Sequence, residues 1–150
     1  MTSLKPASTG QLIVTRRDRR RLDEAIRSAR RSWLTYGPYL DWLQSQLNAA
    51  RVVGPEEMPD DVVTMNSHVD VEDLRTGEAL PMTLVYPDQV DEAEDEAAAD
   101  RRTASIFDPT GLALLGRRVG DVLSWMESDS ARTARVTRLP YQPESAGDEE

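Results

Sequence analysis

Histidine, cysteine and clustered carboxylates carry much of enzymatic chemistry, and this sequence offers few of them in a usable arrangement. His68 is the only histidine, and the 150-residue chain has no cysteine. A disulfide, a thiolate metal site and a cysteine nucleophile are therefore excluded, and a lone histidine is a poor zinc site. No Ser-His-Asp set, glycine-rich phosphate loop or zinc-ligand spacing is present. We predict a protein that is not an enzyme and holds no metal or cofactor.

Asp41 is the one carboxylate between Arg31 and Gln44, and aromatic residues surround it. A single carboxylate binds Mg²⁺ weakly, because Mg²⁺ prefers octahedral oxygen coordination and gives up water reluctantly. Asp41 also fits the first turn of a helix, where the helix dipole favours an acid. Tyr36 and Tyr39 lie at the expected turn and are candidate partner anchors, whereas Trp33 is expected to close a helix seam. Both interpretations of Asp41 stay open.

A second candidate contact is the loop Asp108-Pro109-Thr110-Gly111. Asp108 or Thr110 has the chemistry of a helix N-cap, and Pro109 suits the first helical turn. An exposed loop at a helix start is also compatible with partner binding, so the two interpretations do not conflict.

Charge is distributed unevenly along the chain. Residues 1–31 carry nine Lys/Arg and three Asp/Glu, whereas the other residues carry nine and twenty-four, in a chain of net charge −9. An acidic chain is a poor binder of duplex DNA, because phosphate neutralisation supplies most non-specific affinity. The basic block could meet an acidic protein surface, or it could be a solvated helix face. No sequence-specific nucleic acid partner is expected.

Two helices are predicted before residue 54. Thr15 and Asp18 have the form of a capping box, and Leu22, Ile26 and Ala29 repeat along one helix face. After the break at Gly37-Pro38, Leu40, Leu43 and Leu47 repeat along a second helix. Helices of about 15 residues each would form an antiparallel hairpin projecting roughly 20–25 Å.

The following region is predicted to be a twisted antiparallel sheet with one short helix. The predicted strands span residues 62–65, 69–71, 82–86, 105–107, 122–126 and 135–139. The predicted helix spans residues 110–115. The acidic stretch 88–100 is expected to be a solvated loop. The fold class is therefore α+β.

Four stretches resemble a known family. The run Pro55-Glu56-Glu57-Met58-Pro59-Asp60-Asp61-Val62-Val63-Thr64-Met65-Asn66-Ser67 resembles the linker and first strand of the regulators of nucleoside diphosphate kinase (Rnk), relatives of the GreA and GreB transcript cleavage factors. Residues 83–87, 113–121 and 141–148 resemble the same family. The resemblance covers most of the chain, although the helical part agrees mainly in pattern.

The resemblance implies an FKBP-like domain that docks on the β′ subunit of RNA polymerase, at the rim of the secondary channel, with loop 108–111 at that surface. The helical hairpin would point into the channel. Cleavage-competent Gre factors carry two acids at the hairpin tip that help to hold a second Mg²⁺; here only Asp41 is present and the hairpin is shorter. The resemblance therefore implies a cytoplasmic, monomeric regulator that competes with Gre-type factors without cleaving transcripts.

The expected organisation has four parts. Residues 1–11 are a disordered N-terminus, 12–54 the helical hairpin, 55–143 the FKBP-like domain and 144–150 an acidic tail. Residues 1–10 lack the features of a signal peptide, and no stretch is long and apolar enough for a membrane span. Two alternatives remain: a peptidyl-prolyl isomerase, for which the aromatic residues are few, and a direct protein regulator of nucleoside diphosphate kinase, for which no nucleotide motif is seen.

Overall fold

The first helix begins at the predicted residue. The structure, a computed structural model, describes residues 12–31, 38–89, 102–127 and 129–147. Helix α1 spans Arg16–Arg30, and Thr15 Oγ1 accepts a hydrogen bond from the Asp18 amide at 3.1 Å. A capping box also predicts a hydrogen bond from the Thr15 amide to the carboxylate of Asp18, and this prediction is wrong for Asp18. Its carboxylate instead accepts from the Tyr86 hydroxyl at 2.9 Å, because Tyr86 offers a stronger side-chain donor inside the fold.

Helix α2 is shorter than predicted, and short strands flank the helix pair. It spans Pro38–Asn48 and has 11 residues, because the chain leaves the helix after Asn48 and enters a short strand at Arg51. Strand β1 (Ile13–Thr15) precedes α1, and β2 (Arg51–Val53) follows α2. The two strands pair in parallel, with Ile13 opposite Arg51. Local sequence patterns do not predict this pairing, which joins both ends of the helix pair.

Polar contacts connect α1 and α2 along their length. Arg19, near the start of α1, bonds the Leu47 carbonyl near the end of α2. Gln44 donates to Asp23 at 3.3 Å, and Arg30 donates to Asp41 at 3.0 Å. These contacts join the start of α1 to the end of α2 and the end of α1 to the start of α2.

A five-stranded sheet forms most of the remaining chain. Its strands are β3 (His68–Asp73), β4 (Ala79–Val85), β5 (Arg102–Ser105), β6 (Val122–Glu127) and β7 (Ser130–Tyr141), in the order β5-β4-β3-β7-β6. Strands β4 and β5 are parallel, and the other pairs are antiparallel. The predicted all-antiparallel sheet is thus wrong: the sheet is mixed, since β5 runs parallel to β4 and is not the return strand of a hairpin.

Two predicted strands are displaced. Residues 62–65 form no strand beyond a single bridge between Val62 and Arg118, because Thr64 and Ser67 side chains take part in the local turn. The strand expected at 105–107 lies at β5, and Ile106 follows it. Helix α3 spans Pro109–Leu114, close to the prediction, and the chain continues into α4 (Pro143–Ala146) at the beginning of the predicted tail. Short 3₁₀ helices occupy Pro55–Glu57 and Pro87–Gln89.

The helices and the sheet contribute to one hydrophobic core. Leu22 and Ile26 of α1 and Leu43 and Leu47 of α2 are almost fully buried, which confirms the predicted helix stripes. They join the same cluster as the inward-facing sheet residues. No helix among the described residues is long and apolar enough to cross a bilayer. The apolar seam of the helix pair is therefore continuous with the core of the domain that follows it.

Candidate interaction site

Asp41 lies in the first turn of α2 and forms an ion pair. Its Oδ1 accepts from Arg30 Nη2 at 3.0 Å, and the Asp41 side chain is 75% exposed. The pair joins the end of α1 to the start of α2, where both the helix dipole and Arg30 stabilise the carboxylate. Among the described residues, no three His, Cys, Asp or Glu side chains come together as a metal site would require. The arrangement favours a structural contact over metal binding.

The aromatic candidates near Asp41 fall into three groups. Trp33 and Tyr36 lie outside the described residues, and Tyr39 is placed only by its backbone, in the first turn of α2. Trp42 is half-buried and packs against the core. Only Trp42 can therefore be assigned a packing role, and the predicted anchor role of Tyr36 and Tyr39 stays a prediction.

The loop before α3 separates into exposed and buried residues. Asp108 is the exposed N-cap residue, but its side chain makes no capping hydrogen bond; partial burial raises the pKa of its carboxyl. Pro109 opens the helix, as predicted, and Thr110 is half-buried. Gly111 is buried, and a Cβ there would lie 1.9 Å from the Ser105 carbonyl oxygen. Asp108, Pro109 and Thr110 are at least partly exposed, whereas Gly111 permits the close contact of α3 with β5; the partner-binding role of the loop stays a prediction.

A buried contact between α1 and the end of β4 is not evident from the sequence. Asp18 accepts from Tyr86, and the Arg21 guanidinium lies 4.4 Å from the Tyr86 ring centroid. Burial raises the pKa of Asp18 to about 6, with Tyr86 acting in the opposite direction. Burial and the neighbouring Asp18 raise the pKa of Tyr86. This cluster fixes the first turns of α1 on the domain. Because Asp18 stands three residues after the N-cap, the sequence suggests only a helix-capping role for it and not the contact with Tyr86.

The start of the predicted tail is bound to the linker. Glu144 Oε1 accepts from Thr64 Oγ1 at 2.8 Å, and the buried Gln142 donates to the carbonyls of Pro59 and Val62 at 2.8 and 2.7 Å. These contacts give the linker after residue 55 a defined path without strand pairing.

A cavity of about 370 Å³ lies between α2, β2 and the segment that follows α3. Arg117 lines it and is only 1% exposed. Its Nε donates to the Ala113 carbonyl at 2.8 Å, at the end of α3. Arg117 is not among the residues predicted to be functional, although a basic residue after a short helix is a recognisable C-terminal capping signal.

The aromatic residues of the sheet domain do not form a ligand pocket. Tyr86, Phe107 and Trp125 are buried in the core, and Tyr141 is half-buried with its ring 5.0 Å from that of His68. A prolyl isomerase needs an open aromatic pocket, so the geometry disfavours that alternative.

Comparison with known proteins agrees with this architecture. Residues 58–141 match the family described as "Transcription elongation factor, GreA/GreB, C-term". A solved GreA/GreB elongation factor from Nitrosomonas europaea superposes with a TM-score of 0.70 and 32% identity, covering 89% of this chain and 100% of that one. The chain therefore belongs to the GreA/GreB family of transcription elongation factors.

Two relatives refine the placement. Over 112 residues the chain is 43% identical to the regulator of nucleoside diphosphate kinase of Escherichia coli K12, covering 74% of this chain and 77% of that protein. It is 34% identical over 117 residues to the transcription inhibitor protein Gfh1 of Thermus aquaticus, covering 78% and 70%. The predicted resemblance to the Rnk proteins is confirmed, and a role in transcription or its regulation follows for the family.

Proposed function

We propose that the protein is a non-catalytic regulator that binds RNA polymerase at the secondary channel and competes there with Gre-type factors. Its FKBP-like sheet domain docks at the β′ rim, and its antiparallel helical hairpin enters the channel. It acts as a monomer in the cytoplasm and cleaves no transcript. Membership of the GreA/GreB family and the similarity to a protein named as a transcription inhibitor support this proposal.

The state of Asp41 carries the non-catalytic part of the proposal. No second carboxylate stands between Arg31 and Gln44, and Arg30 already occupies one oxygen of Asp41 at 3.0 Å. Recruiting Mg²⁺ would require breaking this pair and would still supply only one ligand, whereas two-metal chemistry needs the ion held between oxygens. A guanidinium beside the carboxylate also repels an incoming cation. The hairpin therefore occupies the channel without completing the catalytic centre.

The exposed part of loop 108–110 is the proposed contact with the β′ rim. Asp108 is exposed, and Pro109 and Thr110 are half-buried at the start of α3. Because α3 packs on β5 through Gly111, the loop is held by the sheet rather than by its own contacts. A rigid, partly polar loop loses little conformational entropy on binding.

A transcript-cleavage assay on stalled elongation complexes tests the proposal. We expect no cleavage with this protein alone and reduced cleavage when it is added to a Gre factor. The D108A/T110A variant should inhibit less, whereas T137A, altered on an exposed face of β7, should inhibit like the wild type. Cleavage by the protein alone, or undiminished Gre activity at saturating concentration, would contradict the proposal.

Direct control of nucleoside diphosphate kinase is a second candidate, favoured by the name of the E. coli relative, a regulator of nucleoside diphosphate kinase. Purified kinase mixed with this protein distinguishes the two. An unchanged kinase rate supports action through transcription, whereas a concentration-dependent change supports direct regulation.

A further inference from the structure

Two loops leave the same edge of the sheet side by side. Strands β4 and β5 are parallel, and their last residues, Val85 and Ser105, are register partners. The chain segments stay adjacent beyond the sheet, because the Ile106 amide donates to the Val85 carbonyl at 2.9 Å. Loop 108–110 therefore lies near the 3₁₀ turn Pro87–Gln89, which follows β4.

The turn after β4 is fixed by its own side chains and exposes an acid. Gln89 Oε1 accepts from the Tyr86 amide at 3.0 Å and from Asn66 Nδ2 at 2.9 Å. Asp88 is exposed within this turn, as Asp108 is within the neighbouring loop. A turn that is already ordered loses little conformational entropy when a partner binds it.

The base of α1 borders the same edge with positive charge. The Arg21 guanidinium lies 4.4 Å from the ring centroid of Tyr86, the residue before this turn. Burial and the neighbouring Asp18 raise the pKa of Tyr86, whereas the charges of Arg21 and Arg17 act in the opposite direction, so both arginines lie close to this side chain. Arg17 and Arg21 are half-buried. A basic region thus adjoins the two loops that carry acids.

We propose that loop 108–110, the turn Pro87–Gln89 and the two arginines at the base of α1 form one docking surface for RNA polymerase, the docking edge. This inference rests on the proposed function, in which loop 108–110 alone contacts the β′ rim, and it extends that contact to the helical part of the chain. The partner surface that fits carries basic groups opposite the two exposed carboxylates and acidic groups opposite the two arginines, because like charges facing each other weaken an interface.

The two signs of charge give the contact a direction. A surface of one sign can be matched in several orientations, whereas neighbouring acidic and basic regions match a partner in one register. Arg21 belongs to the helix pair and Asp108 to the sheet domain, so docking holds both parts at once. The hydrogen bond of 2.9 Å between Tyr86 and Asp18 joins the same two parts beneath the surface. The docking edge therefore sets the direction in which the hairpin enters the channel.

Fluorescence anisotropy of the full chain with core RNA polymerase at low salt tests the docking edge. D88K reverses a charge outside loop 108–110 and should weaken binding about five-fold. R17Q removes one positive charge and should weaken binding about three-fold. Both losses should shrink at high salt, because mobile ions screen the contact.

E78K is the matched control for D88K. Glu78 is exposed immediately before β4, at the opposite end of that strand from Asp88, and E78K changes the net charge by the same amount. We expect E78K to bind like the wild type. Equal losses in D88K and E78K would assign the effect to net charge and would refute the docking edge.

The D108A/T110A variant separates this inference from the proposed function. If D108A/T110A binds more weakly while D88K and R17Q bind like the wild type, the contact is confined to loop 108–110, and the docking edge is refuted although the proposed function stands. If the wild type itself does not bind polymerase, the proposed function fails. Weaker, salt-sensitive binding of D88K and R17Q, with unchanged melting temperatures, supports the docking edge.

Discussion

Asp18 is a carboxyl held where its charge is disfavoured. It is 6% exposed, and burial outweighs the stabilising hydrogen bond from Tyr86, so that its pKa is raised from 3.8 to about 6. The nearby Glu144 raises the pKa further, while the Met65 amide and Arg17 lower it. Protonation is therefore easier in the folded than in the unfolded chain. Asp18 contributes stability below its unfolded pKa, and this contribution is lost as the pH rises through about 6.

The D18N substitution should remove this pH dependence. For the wild type, Asp18 alone should lower the free energy of unfolding by about 1 kcal/mol between pH 5 and pH 7. Asparagine does not titrate and can still accept from the Tyr86 hydroxyl, so the slope of D18N in this interval should be smaller by that amount. Urea unfolding at pH 5, 6 and 7 measures it. Parallel pH profiles for wild type and D18N would contradict the assigned role of Asp18.

Gly111 is required by a backbone contact. An added Cβ would lie 1.9 Å from the Ser105 carbonyl oxygen, and neither backbone can yield without separating α3 from β5. We expect G111A to destabilise the protein by more than about 3 kcal/mol, as severe overpacking does. Thermal unfolding measures the loss. G54A is the matched control, because its Cβ would meet only flexible side-chain atoms of Arg16 and Glu56 at 3.2 Å. Similar melting temperatures for the two variants would count against this packing.

For single residues, the sequence indicates the chemistry of each side chain but not its burial or its contacts in the fold. Asp41, Asp108 and Pro109 lie at helix starts, as their residue types predicted. Arg117 and Asp18 looked like ordinary charged residues because burial depends on contacts between distant segments, and local spacing does not encode those contacts. Tyr86, for example, is separated from Asp18 by 68 positions.

Among the elements, the first helix depends on its cap. Thr15 is 3% exposed and its hydroxyl accepts from the Asp18 amide, one of the helix-start donors that would otherwise lack a partner. We expect T15A to lose about 1 kcal/mol of unfolding free energy. T15S retains the hydroxyl and should lose clearly less. Chemical denaturation followed by circular dichroism distinguishes them; an equal loss in both would assign the effect to the methyl group instead.

Elements with a strong local signal were predictable. The helix stripes and strands β4, β6 and β7 lie close to their predicted positions. The parallel strand pairs were not predictable from the sequence. Strands β1 and β2 have three residues each, and β5 has four. Such short strands lack a recognisable alternation, and their pairing depends on chain segments brought together by the fold. The irregular path of residues 62–67 was likewise hidden by an apolar run that mimics a strand.

Across the whole molecule, basic charge is concentrated on α1. Arg20 and Arg27 are exposed there, whereas the remainder of the chain is acidic. Because of this asymmetry, the electric field of an acidic partner surface would orient the molecule with α1 towards that surface. If the proposed polymerase contact uses this face, its affinity must depend on ionic strength.

The R20Q/R27Q variant tests that dependence. We expect it to bind core polymerase several-fold more weakly than the wild type at low salt, and the difference should narrow at high salt because mobile ions screen the contact. R135Q/R138Q removes two exposed charges from β7 and serves as the control. Fluorescence anisotropy at several salt concentrations measures both. A salt-independent loss would point to misfolding, and no loss would exclude α1 from the contact.

The parallel pair of β1 and β2 has a practical consequence for exchanging parts between relatives. Ile13 faces Arg51 and Thr15 faces Val53, so the chain enters and leaves the helical region through two strands that are paired with each other. A chimera with junctions inside α1 and α2 would combine two halves evolved for different cores. Junctions placed before residue 12 and after residue 54 would transfer the two helices together with the β1–β2 pair that joins their ends.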